Sequence, residues 1–261
     1  MVPAPASAAT LVAPSREVLD GLRARIGQMQ GTPPPERGFP LSSAFEPLLP
    51  GGVLGHGRVY ATPHALSLAV GLVAGASAQG AWCAVAGVPD FGVEAALAAG
   101  VSGERLVLVP EPGAHALAVV SALVDVVGVV IVGPGLRLSA GELSRLQARL
   151  RDRSASLVVV GDWPQPEARL RTQAIRWSGL GRGWGGLGAR EVEVVVESRG
   201  AGRPRGWLLR VDAEGRAVGS SALRDGAGAR TGRIGGERGP VLVPAGASSV
   251  SSPPERWAAA R

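Results

Sequence analysis

The sequence predicts an α/β fold: a mostly parallel, twisted sheet flanked by helices, with an antiparallel extension at one edge. Three observations carry this. The runs "AWCAVAG", "RLVLVP", "GVVIVG" and "SLVVVGD" are continuously apolar rather than alternating, and strands of that kind are buried on both faces of a parallel sheet. Helical stretches separate them, as in strand–helix–strand units. After residue 163 the pattern changes to strict alternation in "RLRTQAIRWSG" and "AREVEVVVESR", which suits antiparallel strands with one wetter face.

Taken in order, residues 1–14 are rich in Pro, Ala and Ser and are expected to be disordered. "SREVLDGLRARIGQM" (15–29) reads as a leading helix. Ser15 is placed to cap it, and Val18, Leu19, Leu22 and Ile26 make one apolar stripe. "QGTPPPERG" ends it, so residues 1–38 form an N-terminal helix with a proline-rich linker. The core is expected over 39–218. Its strands lie at 58–62, 81–87, 105–110, 128–133 and 156–162, and its helices at 64–78, 90–100, 113–127 and 139–153. Gly100 closes the second helix, Asp90 is placed to cap it, and Ser139 caps the fourth. "GWLLRVDAEGRAV" reads as one further strand of a hairpin. From 219 to 261 Gly, Ser, Arg and Pro dominate without periodicity, and this basic tail is expected to be disordered.

Composition narrows the chemistry. All 27 basic residues are arginine, a bias that reads as GC-rich codon usage. Without lysine there is no Schiff base, no lysine general base and no lysine on a phosphate. Residues 1–198 hold 16 Arg and 16 acids, whereas 199–261 hold 11 Arg and 5 acids, so the net charge of +6 belongs to the last quarter. Such a tail contacts nucleic acid or an acidic protein surface, or is a solvated arm. The single cysteine, Cys83, lies inside an apolar run and reads as a buried structural thiol. The N-terminus has no basic region followed by a long apolar core, and no run approaches the roughly 18 apolar residues of a membrane span. The expectation is a soluble cytoplasmic protein with no membrane contact.

Ligands in open α/β sheets bind at the carboxyl ends of the strands. The first core strand ends in "ATPHALS", where a phosphate cradle would need successive free N–H groups, glycines and a Lys–Ser/Thr pair. Pro63 removes one N–H, and His64 reads as a surface histidine. The other strand ends are "GVPD", "VGPG" and "GDWP", and Asp162 is the one acid in a site-like position. His56, His64 and His115 lack metal-ligand spacing. "GLGRGWGGLG" (179–188) contains G-x-G-x-x-G but precedes a strand. It reads as a loop presenting Arg182 and Trp184, a pair suited to stacking on bases or anchoring a partner.

The order of these segments resembles the RecA/RadA ATPase core from "LLPGGVLGHGRV" (48–59) to about residue 198. The closest stretch is "VAGVPDFGVEAALAAGVSGERLVLVPEPGAHALAVVSALV" (85–124), and "VDVVGVVIVGPG" is similar to the Walker B strand. Carried over by position, the nucleotide machinery is missing. Pro63 and His64 stand in the shortened P-loop, and Val88 takes the place of the catalytic glutamate. Gly133 takes the place of the Walker B aspartate, and Trp163 that of the nucleotide-sensing glutamine. The resemblance therefore implies a RecA-like core without ATP hydrolysis, cofactor or metal.

Within that superfamily the chain is most similar to the ImuA group, in its shortened actinobacterial ImuA′ form. The likeness rests on the leading helix, the "LLPGG" lead-in and the "RWSGLGRGWGG" loop. It implies an SOS-induced accessory of mutagenic translesion synthesis that binds ImuB, a Y-family polymerase-like adaptor. The expected partner contacts are Val18, Leu19, Leu22 and Ile26 with Arg182 and Trp184, and the arginine-rich tail is a further DNA contact. In RecA-type proteins the leading helix packs on a neighbouring subunit, so Leu19 and Leu22 are expected in an ImuB or homotypic contact. Two alternatives stay open: a SulA-like cell-division inhibitor, and a residual nucleotide- or DNA-binding RecA-like protein. The oligomeric state is not fixed by the sequence.

Overall fold

A computed structural model describes residues 37–179 and 186–223. The chain begins with a small ribbon, β1 (Gly38–Pro40) against β2 (Val53–Gly55). The core then alternates: β3 (Val59–Ala61), α1 (Leu66–Ala78), β4 (Cys83–Ala86), α2 (Val93–Ala98) and β5 (Leu106–Val109). It continues with α3 (Ala116–Val126), β6 (Val129–Val132), α4 (Ala140–Asp152) and β7 (Ser156–Val159). Four longer strands follow: β8 (Ala168–Trp177), β9 (Arg190–Ser198), β10 (Arg205–Val211) and β11 (Ala217–Ala222).

The main sheet runs β5-β4-β6-β7-β3-β8-β9-β10-β11. Neighbours from β5 to β8 are parallel, and those from β8 to β11 are antiparallel. The expected α/β class, parallel core and antiparallel extension are thus present. The observed elements are shorter than the apolar runs that predict them, because the ladder bonds stop before the hydrophobic side chains do. Two expectations need correction. Asp90 lies in a turn, and the residue preceding α2 at its cap is Gly92. The expected single strand after 205 is a hairpin, turned at 212–215, where Asp212 Oδ1 accepts from the Arg216 N–H at 2.7 Å.

Crossover direction decides which helix covers which face. The connections β3–β4 and β4–β5 move one way along the sheet, and β5–β6 and β6–β7 move back. Right-handed crossovers place these two sets on opposite faces. The side chains agree. Tyr60, Val85, Ile131 and Val158 pack with α1, whereas Val59, Ala84, Val130 and Leu157 pack with α3 and α4. This is the two-residue alternation of a strand buried on both sides. The capping box expected at Ser139 is formed: its Oγ accepts from the Glu142 N–H, and Glu142 Oε2 accepts from the Ser139 N–H at 2.8 Å.

Helix α1 is buried almost all round because segment 41–49 lies over its outer side, with Leu41, Phe45, Leu48 and Leu49 buried. Glycine makes this close approach feasible. A Cβ at Gly75 would overlap the backbone of Leu41 and Ser42, and one at Gly71 would overlap the Phe45 ring. Cys83 is buried as expected, and burial pushes its thiol up to about 11.

Gly75→Ala therefore lowers stability by about 1–3 kcal/mol through overpacking. In an exposed helix the same change adds about 1 kcal/mol; urea unfolding of the two proteins gives the sign. Cys83 supplies a second test. The unfolded chain releases the thiol proton near pH 9 and the folded one near 11, so stability falls as pH rises through that window. The loss approaches about 2–3 kcal/mol, and unfolding curves of Cys83→Ala over the same range lack it.

Candidate functional site

The strand tips are the place to look for chemistry. A crevice forms where neighbouring strands send their connections to opposite faces of the sheet. Here that happens three times, between β4 and β5, between β4 and β6 and between β3 and β7. At each place the chain bonds to itself.

At β3/β7 the Thr62 N–H donates to the Val159 carbonyl at 2.8 Å, and Thr62 Oγ1 points to the same oxygen at 3.4 Å. Thr62 is wholly buried, so its hydroxyl does not face solvent. The Ala65 N–H closes the turn onto the Thr62 carbonyl at 3.1 Å. Pro63 has no N–H to offer, and His64 is exposed with φ at +54°. Three of the donors a phosphate cradle would draw on are thus gone: those of Thr62 and Ala65 are spent inside the chain, and Pro63 has none.

At β4/β6 the Gly133 N–H donates to the Ala86 carbonyl at 2.8 Å, and at β4/β5 the Gly87 N–H donates to the Val109 carbonyl at 2.9 Å. A Cβ on Gly133 would overlap the Gly87 carbonyl oxygen. The position assigned to a Walker B aspartate has no room for any side chain. Val88 is half-buried and packs against the α1 side of the core.

Trp163 is only 4% exposed, packed on the α3/α4 face with Val59 and Ala61. It lies in the connection from β7 to β8, which crosses behind β3 without a helix. The indole thus takes the helix's place as cover for that face of β3, and its carbonyl accepts from Arg169 Nη2 at 3.1 Å. Asp162 is exposed and lies 3.8 Å from Arg169 Nε. Among the described residues, no group of three or more His, Cys, Asp or Glu is arranged to hold a metal ion. Of the residues assigned to a degenerate site, Pro63 and His64 belong to one tip, Val88 and Gly133 to another, and Trp163 to the core. Val18, Leu19, Leu22, Ile26, Arg182 and Trp184 lie outside the described residues.

A second feature went unseen in the sequence. A groove of about 480 Å³ runs between α1, α2 and the turn joining β10 to β11. Its walls include Phe45, Leu68, Phe91, Ala95 and Val192, and Ser42, Arg190, Glu214 and Arg216 are polar members of its lining. Arg190 opens β9, and its guanidinium lies 5.0 Å from the Trp177 ring centroid across the β8–β9 pair. Burial holds Arg190 below the usual arginine range, opposed by the charge of Asp212. The sequence signal for this is an arginine placed two residues after a glycine-rich loop.

Gly133→Asp and Trp163→Gln are each expected to lower stability, by steric overlap and by loss of cover over β3 respectively. Neither produces Mg-nucleotide binding; calorimetry with millimolar nucleotide, beside urea unfolding, checks both. A binding isotherm in either variant would show that the crevice opens.

Residues 47–165 match a protein-family model described as the MT3502 N-terminal domain. That span runs from the segment covering α1, through the parallel core, to just past Trp163. The chain is also 29% identical over 184 residues to a protein of Mycobacterium tuberculosis carried under the name uncharacterized protein Rv3395c. The alignment takes in 70% of this chain and 83% of that protein.

Proposed function

We propose that this protein is a non-catalytic, RecA-like scaffold of the ImuA′ type, acting in DNA-damage-induced translesion synthesis. Its partner is an ImuB-type, Y-family polymerase-like adaptor. The observation that carries the reading is the contrast between an intact parallel core and strand tips joined by backbone contacts at each point where the connections diverge. A sheet of this kind keeps its packing while giving up the ligand position, and its remaining use is to present surfaces. The mixed sheet and the family match over the parallel core support the RecA-like, ImuA-type assignment.

In this reading the leading segment (Val18, Leu19, Leu22, Ile26) and the loop carrying Arg182 and Trp184 meet the adaptor. The tail's excess of arginine supports a DNA contact beside that role, with affinity falling steeply as salt rises. The test is a pull-down of the full chain from damage-treated cells with mass spectrometry. The adaptor is expected, and it is lost or reduced about tenfold with Leu22→Asp or Trp184→Ala, as for contacts worth about 1.4 kcal/mol. Recovery of a cell-division GTPase in its place identifies a SulA-like inhibitor, and capture of the adaptor unchanged by both variants overturns the assigned contacts.

A further inference from the structure

We propose that the groove between α1, α2 and the β10–β11 turn is the docking site of segment 15–29 of the same chain. The inference concerns the same apolar stripe that the functional reading above gives to the adaptor, so groove and adaptor compete for it, and the cross-link below reads the groove alone. A volume of about 480 Å³ falls within the roughly 300–1,000 Å³ typical of ligand pockets. Its apolar walls lie between two helices and a sheet, the setting in which an amphipathic helix lays its apolar face into a groove. Segment 15–29 presents that face: Val18, Leu22 and Ile26 recur at intervals of four, with Leu19 beside them.

One further observation selects this occupant: the place where the described chain begins. Ser42 and Phe45 line the groove, and residue 37 precedes them by a three-residue strand. Residues 30–36 reach at most about 25 Å when extended, so segment 15–29 is tethered within range at high effective concentration.

The test uses the full chain in a Cys83→Ala background, with Leu22→Cys paired to Ala95→Cys on the groove wall. Mild oxidation is expected to form a disulfide within the monomer, about tenfold faster than in the Asp20→Cys control on the opposite face of the segment, as for a preference worth about 1.4 kcal/mol. A disulfide-linked dimer assigns the groove to a second copy, and equal rates for Leu22→Cys and Asp20→Cys leave it without this occupant; either overturns the proposal. Hydrogen exchange on the wild-type chain and Leu22→Asp keeps the question open to test if the paired variants fold poorly. Faster exchange over α2 and the first turns of α1 in Leu22→Asp is expected, and identical exchange overturns the proposal.

Discussion

A parallel sheet must be covered on both faces, and this chain meets that constraint with one helix fewer than its crossovers invite. Helices α1 and α2 cover one side, and α3 and α4 the other. The last parallel crossover, from β7 to β8, has no helix at all. Strand β3 would then expose Val59 and Ala61 to water, at a cost of about 25 cal/mol for each Å² of apolar surface. Trp163 supplies the missing cover from a loop. That need explains why so large an apolar residue follows a strand tip, and why Arg169 donates to its carbonyl and holds the loop against β8. The residue standing where a nucleotide sensor would be is thus part of the core.

The opposite face depends on glycine rather than on bulk. Segment 41–49 lies across α1 because Gly71 and Gly75 let a ring and a backbone stretch come within contact. The β1–β2 ribbon brings the segment there and is pinned to the sheet by two bonds. The Gly55 N–H donates to the Tyr60 hydroxyl at 2.8 Å, and Ser156 Oγ donates to the Gly55 carbonyl at 2.9 Å. With that side filled, α1 carries almost no polar surface, which is why its sequence reads as small residues without a clear amphipathic stripe.

Much of this was legible in the residues. Continuous runs such as "VVIV" and "SLVV" announce strands buried on both faces, and the Ser139–Glu142 spacing announces a capped helix. The departures have physical causes. A three-residue ribbon such as β1–β2 is too short to show a period of two. The β10–β11 hairpin was merged because "DAEG" carries its turn signal in an aspartate that bonds its own backbone, a weaker mark than Asn-Gly. Asp90 has a capping residue's chemistry, but the helix starts beyond it. The groove could not be seen, because Ser42, Ala95, Arg190 and Arg216 meet only through the sheet order.

The closed tips also have a consequence for where function can lie. Backbone N–H groups at strand ends must be satisfied, by a ligand, by water or by the protein. Here Thr62, Gly87 and Gly133 donate to the carbonyls of Val159, Val109 and Ala86, so these donors are no longer owed to an anion. Reopening the β4/β6 crevice would strand the Gly133 donor, and a side chain at that position would meet a carbonyl oxygen. The closure is therefore held by hydrogen bonding and sterics together. Recognition is then left to surfaces away from the tips, and an apolar recess lies on the α1–α2 face, beside the point where the described chain begins.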